Sequence, residues 1–231
     1  MPRYGRKKVI RSRPYRKARG RKRIARVAKG IFNRMVETKE IKYTHSNVGS
    51  SNFASCSYGS GAVVAGLFGA IALGTGSATR IGQKITARGV RVFFPLSAGD
   101  TTNNLRIVIV SAKSGVPIQP SVTASFVQMV FSNASSGSTQ WTSPVDTHRF
   151  RVHYDRTFFL TFDPTDGSTA AVKPRVKFMK TFVKCHRTLF WDDYGNINND
   201  IYMIAISDSN AIPNPGAIGG FVNAYYKDYL S

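Results

Sequence analysis

After residue 36, apolar and polar residues alternate with a period near two over most of the chain, which is the signature of half-buried β-strands. In Val36–Ser46, Ile41, Tyr43 and His45 alternate with Lys42 and Thr44, predicting a first strand. In Lys84–Phe94, the apolar positions Ile85, Ala87, Val90, Val92 and Phe94 keep the period except around Gly89, where the phase shifts as a β-bulge would shift it. Leu105–Val110 puts Leu105, Ile107 and Ile109 on one face and Arg106, Val108 and Val110 on the other. Arg149–Asp155 sets Phe150, Val152 and Tyr154 against Arg149, Arg151 and His153, and Thr157–Phe162 continues it as an aromatic run. Ser125–Phe131 and Ile201–Ile206 read as further short apolar strands, and Phe221–Leu230 closes the chain with Phe221, Tyr225, Tyr226 and Tyr229. In Arg175–His186, Val176, Phe178 and Phe182 alternate with Lys177, Lys180 and Lys184. That predicts a strand with one basic face, and these three lysines are candidate inner-face contacts for a polyanion.

Loop chemistry separates the runs. Asn47–Gly61, Ser132–Thr139 and Ser207–Gly220 are rich in Ser, Asn, Gly or Pro, and Asp163–Ser168 and Asp192–Asp200 read as turns. Ala62–Leu73 is an apolar run containing Gly66 and Gly69, read as a short helix or an apolar loop segment. At about a dozen residues it is too short to cross a bilayer as a helix. At least seven strand-like segments, long loops and no internal repeat predict an all-β antiparallel sandwich, and a single jelly roll of two facing sheets accommodates the count.

Ahead of residue 36 the period lengthens. Ile24, Val27, Ala28, Ile31, Phe32 and Met35 recur at three- and four-residue spacing, the stripe of an amphipathic helix. Arg21, Lys22, Arg23, Arg26, Lys29 and Arg34 fall largely on its other side, and Gly30 weakens the helix by about 1 kcal/mol. Such a helix serves as a stem between arm and domain, or lies on a membrane surface.

Charge changes the picture most at the same end. The net charge is +21, and 14 of the 33 Lys and Arg residues lie between Arg3 and Lys29, where there is no Asp or Glu; the first acidic residue is Glu37. The remainder holds 19 basic against 12 acidic residues, or +7. A segment of this composition repels itself and has little apolar surface to offset chain entropy, so it is expected to be disordered or partly helical until it meets a polyanion. Arg3, Arg6, Lys7, Lys8, Arg11, Arg13, Arg16, Lys17, Arg19, Arg21, Lys22, Arg23, Arg26 and Lys29 are the candidate phosphate ligands, with Tyr4 and Tyr15 placed to stack on bases. The expected division is a basic arm with its stem at 1–36 and a β domain at 37–231.

Catalytic chemistry is not indicated. His45, His148, His153 and His186 lie on separate segments and are expected to face solvent or a neighbouring subunit. Asp163 with Asp166, and Asp192 with Asp193, suit turn capping, with weak Ca²⁺ binding as the alternative. No triad, Walker or zinc spacing occurs, so no catalytic residue, metal or cofactor is expected. Cys56 and Cys185, far apart, read as reduced thiols of an intracellular protein. The basic start is not followed by an apolar core and cleavage site, so no secretory signal is expected. The sequon Asn133-Ala134-Ser135 is expected to be unused.

Four short motifs follow one another in a particular order. GTGSATRIGQKI, from Gly74 to Ile85, carries a Gly, a gap and an Arg-apolar-Gly step (Arg80, Ile81, Gly82) into a strand. Tyr154-Asp155-Arg156, NNDIYMIAISD from Asn198 to Asp208, and YYKDYL from Tyr225 to Leu230 come after it. With a basic arm, a first strand and a long loop ahead of them, the chain resembles the capsid proteins of small circular single-stranded DNA viruses, the circovirus-like group. The resemblance implies a jelly-roll subunit that self-assembles into a small icosahedral shell of about sixty copies. It also implies an arm that holds single-stranded nucleic acid, DNA favoured, and binds host nuclear import receptors through clusters such as Arg3–Lys8 and Arg19–Arg23. The implied locations are the virion and, during assembly, the host nucleus; a cell-surface receptor is implied but not identified. The arm here mixes Lys with Arg where that group is more uniformly Arg-rich. The alternatives are therefore the capsid of a small satellite-type RNA virus, with an arm of the same design, and a cellular ribosomal or chromatin-like β protein.

Overall fold

Strand pairing defines the architecture. The computed structural model describes residues 38–49, 51–57, 62–99, 102–113, 123–131, 141–163, 173–174, 176–193, 197–198, 200–209 and 212–228, together with Ile24. Eight principal strands lie among them: β1 (Thr38–Thr44), β2 (Val63–Gly66), β3 (Lys84–Ser97), β4 (Thr102–Ala112), β5 (Phe150–Asp163), β7 (Lys177–Trp191), β9 (Ile201–Ser207) and β11 (Phe221–Asp228). Three two-residue strands, β6 (Lys173–Pro174), β8 (Ile197–Asn198) and β10 (Gly216–Ala217), extend the sheets, and α1 (Thr123–Val130) is a short helix. One sheet runs β1-β11-β3-β7-β8 with β10 on β3, and the other runs β2-β9-β4-β5-β6. All these pairs are antiparallel. Numbering only the eight principal strands, the orders are 1-8-3-6 and 2-7-4-5, which is the strand order of a jelly roll. The strands all belong to one compact unit, Thr38–Ser231.

The main core fills the space between the sheets. Ile85, Val90, Val92 and Phe94 of β3, Met179, Val183 and Leu189 of β7, and Val222, Ala224 and Tyr226 of β11 meet Leu105, Ile107 and Ile109 of β4, Leu160 of β5, and Met203 and Ala205 of β9. The bulge expected at Gly89 is present: the register of β3 slips between Ala87 and Gly89 against β7. A second apolar cluster lies on the outer side of β4 and β9, where Val108, Val110, Ile204 and Ile206 are covered by Phe126, Val127 and Val130 of α1, and by Phe131 and Phe150. Both faces of β4 and β9 are therefore buried, which is why their sequences run almost continuously apolar.

Two expectations are corrected. Ser125–Phe131 is not a strand; its core is the helix α1, whose Phe126, Val127 and Val130 turn to one side. A seven-residue run this short satisfies both periods, and only the uncovered face of the second sheet selects the helix. Ala62–Leu73 is not helical: Val63–Gly66 pairs with β9, Val63 opposite Ala205 and Gly66 opposite Tyr202. Gly66 is required there by packing, because a Cβ at this position would sit 2.5 Å from Oδ2 of Asp200. Among the described residues no helix is long and apolar enough to cross a membrane.

The residues that carry the viral resemblance hold loops in place. Arg80 is buried, donates from Nε to the Ile71 carbonyl (3.3 Å) and from Nη1 to the Gly82 carbonyl (2.8 Å), and lies 4.4 Å from the Trp191 ring centre. Asp155 accepts a bidentate pair from Arg106, Nε–Oδ1 at 2.8 Å and Nη2–Oδ2 at 2.6 Å. Arg106 Nη1 also donates to the carbonyls of Trp141 (3.0 Å) and Ser143 (2.5 Å), and its guanidinium lies 5.0 Å from the Phe131 ring centre. Arg106→Met keeps the apolar stem but leaves Asp155 and two carbonyls without their donor. It is expected to lower stability by about 2–3 kcal/mol, less than a fully buried pair would lose because Asp155 is partly exposed. Urea denaturation measures this, and a loss under about 0.5 kcal/mol would show that water replaces the guanidinium at no cost.

Candidate nucleic-acid interface

The strand carrying the three predicted lysines is where the folded unit presents cations and rings together. Side chains of β7 alternate between the core and solvent: Met179, Val183 and Cys185 point inward, while Phe178, Lys180, Phe182 and Lys184 are exposed. The aromatic and basic residues therefore share one face, contrary to the expectation that they oppose each other. A period of two places residues 178, 180, 182 and 184 together, whereas Lys177 is out of phase with them. Lys177 leans instead toward Phe159 of β5, 5.9 Å from its ring centre. Of the three predicted lysines, Lys180 and Lys184 belong to one surface and Lys177 does not.

Cross-strand register completes that surface. Against β7, β3 sets Arg91 opposite Phe182, Phe93 opposite Lys180 and Gly89 opposite Lys184. On the other flank of β3, β11 sets Asn223 opposite Arg91, Phe221 opposite Phe93 and Tyr225 opposite Gly89. The rings gather in two groups. Phe93 stacks on Phe178 with centres 6.0 Å apart and meets Phe221 at 5.7 Å, while Phe182 meets Tyr225 at 6.1 Å. Arg91 and Lys180 line two open grooves beside them, of about 590 Å³ with Thr181, Phe182 and Tyr225 and about 220 Å³ with Phe93 and Phe221. Phe178, Phe182 and Phe221 are 62%, 51% and 36% exposed, large values for phenylalanine on a folded surface. Arg91, Phe93, Phe221 and Tyr225 were not picked out from the sequence as surface contacts. The even-numbered spacing from 178 to 184 was the available signal.

No protein-family model matches the chain, and no curated protein is significantly similar to it. The arm ligands from Arg3 to Lys29, with Tyr4 and Tyr15, lie outside the described residues, as does the predicted stem helix apart from Ile24, which is helical. The Asp166 turn and the sequon at Asn133 also lie outside them.

Several of the remaining titratable groups have structural partners. His153, expected to face solvent or a neighbouring subunit, is half-buried, and its Nε2 lies 2.8 Å from the Ser111 hydroxyl. Arg187 Nη1 donates to the same hydroxyl at 2.9 Å, and its Nη2 donates to the Ala112 carbonyl. The His153 ring also has a backbone hydrogen bond with Lys184. Burial, with the nearby charges of Arg151 and Arg187, pushes His153 down to about 4, so it is neutral near pH 7. Among the described residues no carboxylate pairs with His153, and Ser111 is fully buried, so the trio ties β4 and β5 of one sheet to β7 of the other. Asp193 accepts from Gln83 Nε2 at 2.9 Å. Cys56 and Cys185 are free and buried, and burial pushes both thiols up to about 12. Among the described residues no group of three or more His, Cys, Asp or Glu is placed to hold a metal ion.

Proposed function

We propose that this chain is the coat subunit of a small circular single-stranded DNA virus of the circovirus-like kind. It assembles with copies of itself into an icosahedral shell of about sixty subunits and packs the genome through its basic N-terminal segment. The observation that carries the reading is the separation of charge from fold: 14 of 33 cations stand between Arg3 and Lys29 with no acidic residue among them, ahead of a jelly roll. About sixty such segments facing one cavity bring roughly 840 positive charges, the scale of a small single-stranded genome. Contacts of this type neutralise phosphates and carry little sequence information. The clusters at Arg3–Lys8 and Arg19–Arg23 also suit nuclear import receptors, which would carry the subunit to the host nucleus before assembly.

The second reading is a cellular nucleic-acid-binding β protein, favoured by Arg91, Lys180 and Lys184 on the folded unit itself. Particle mass separates the two. Negative-stain imaging of the purified protein, with nuclease digestion of its contents, is expected to show closed shells holding protected nucleic acid of mixed sequence. A nucleotide-free monomer under every buffer tried would overturn both readings, and a monomer that carries nucleic acid would leave only the second.

A further inference from the structure

We propose that the outer face of the β1-β11-β3-β7 part of the first sheet binds the bases of single-stranded nucleic acid, with Phe178, Phe182 and the Arg91 guanidinium as stacking surfaces and Lys180 and Lys184 as phosphate contacts. The inference rests on the nucleic-acid half of the proposed function and not on shell assembly.

Its first support is geometric. Phe178 and Phe182 lie four residues apart on one strand, about 13 Å at the rise of an extended chain, with Lys180 midway between them. The Phe182 ring is held in place from beneath: a Cβ on Gly89 would lie 2.6 Å from its Cζ, so the missing side chain at the bulge is what lets the ring settle against the sheet. Half of the ring nonetheless faces solvent. A ring fixed on a rigid strand loses little conformational freedom when a base stacks on it. Arg91 sits across from Phe182 and offers a second planar surface of opposite electrostatic character.

The second support is charge. Among the described residues no carboxylate pairs with Arg91, Lys180 or Lys184. Glu40, opposite Tyr225 at the β1 edge of the sheet, is engaged by Lys42 at 2.9 Å. A second copy of the chain laid on this face would bring the same unpaired cations together, which is unfavourable away from water. A polyanion meets them with opposite charge. A duplex hides its base faces inside its own stack, whereas an unpaired strand has base faces free for the rings.

The arm and the sheet are separable by what they touch. A phosphate-binding arm holds a strand with or without its bases, but a stacking surface needs them. The test uses the full-length chain and three oligodeoxynucleotide ligands of equal length: a single strand carrying 2-aminopurine, an abasic strand and a duplex. Binding of the first is expected to quench 2-aminopurine fluorescence. Phe182→Leu, which keeps apolar cover over Gly89, is expected to remove most of the quench and to weaken binding of the base-bearing strand on the order of tenfold. Affinity for the abasic strand and the salt dependence should be unchanged. Phe178→Leu, at the most exposed ring, serves as an independent variant if Phe182→Leu folds poorly, and Phe182→Trp is expected to restore the quench.

If the quench and the preference for the base-bearing strand survive in the leucine variants, stacking occurs elsewhere in the chain and the proposal is overturned. Equal wild-type affinity for base-bearing and abasic strands overturns it too, while leaving the arm reading intact. Absence of binding to all three ligands overturns it together with the nucleic-acid reading.

Discussion

Removing Met1–Lys29 is expected to convert a steeply salt-dependent nucleic-acid binder into a weak one with only a shallow salt dependence. The affinity of a polycation for a single strand falls with log salt in proportion to the phosphates it neutralises, with a slope of about −0.7 per contact. If about a dozen of the 14 cations between Arg3 and Lys29 engage phosphates, the slope is near −8, and affinity drops by about 10⁴–10⁵ between 50 and 200 mM salt. Arg91, Lys180 and Lys184 alone give a slope near −2 and a drop of only about tenfold over the same range. Fluorescence anisotropy with a labelled single strand, titrated with salt, measures both slopes. The shortened chain should retain its β signal in circular dichroism, because every principal strand lies beyond residue 37. Its nuclear accumulation should fall in parallel. A flat response in the full-length chain, or an unchanged slope after truncation, would remove the arm from the account.

The contrast between arm and body reflects two kinds of legibility. Charge density is a property of composition, so the cationic segment is evident from residue counts, without any knowledge of its conformation. Strands with one buried face are also evident: Val36–Ser46 contains β1, and Lys84–Phe94 contains most of β3 together with its bulge at Gly89. What the pattern does not reveal depends on neighbours. Ser125–Phe131 becomes helical because the outer face of β4 and β9 needs cover, and that need is invisible until the strands are paired. Val63–Gly66 carries no alternation to betray it; its strand state follows from pairing with β9.

The interface was half legible for the same reason. Lys180 and Lys184 were identified by charge, but their association with Phe178 and Phe182 required the correct phase along β7. Arg91, Phe93, Phe221 and Tyr225 reach them from strands about 90 residues before and about 40 after, through register alone. Motif recognition had the converse difficulty. Arg80 and Asp155 attract notice as motif residues, yet their hydrogen bonds go to carbonyls and to Arg106 within the fold, which marks them as loop anchors and not as ligands for a partner.

Asp200 gives the second large effect, and its sign is opposite to that of a salt-bridged carboxylate. The side chain is fully buried, and its Oδ1 accepts from the backbone N–H of Phe68 (3.1 Å) and Ile201 (2.6 Å) while Oδ2 accepts from Gly69 (3.0 Å). Burial pushes it up to about 7, with the three backbone donors acting in the opposite direction. Between an unfolded value near 4 and that folded value, the native state keeps a proton that the unfolded chain has released. The stability this contributes is complete below about pH 4 and is lost as pH rises through 7. From pH 5 to pH 8 the loss is about 2–3 kcal/mol. Asp200→Asn cannot ionise, and its carbonyl oxygen can still accept from Phe68 and Ile201, but its amide faces the Gly69 N–H donor to donor. The variant should therefore be less stable than wild type at pH 5 by about 1–3 kcal/mol, and the gap should close as the pH approaches 8. Urea denaturation of both proteins at pH 5, 6, 7 and 8 measures the difference while cancelling the contribution of every other titrating group. Asp200→Ala removes the acceptor of three N–H groups at once, those of buried Phe68 and Ile201 and of the more exposed Gly69, and should cost about 2–4 kcal/mol at all of these pH values, with faster amide exchange at Phe68 and Gly69. Parallel stability curves for wild type and Asp200→Asn would mean that the three N–H donors outweigh burial and hold the carboxylate ionised throughout. In that event the turn after β2, at Phe68 and Gly69, is clamped by a permanent anion, and the pH dependence of the fold must originate elsewhere.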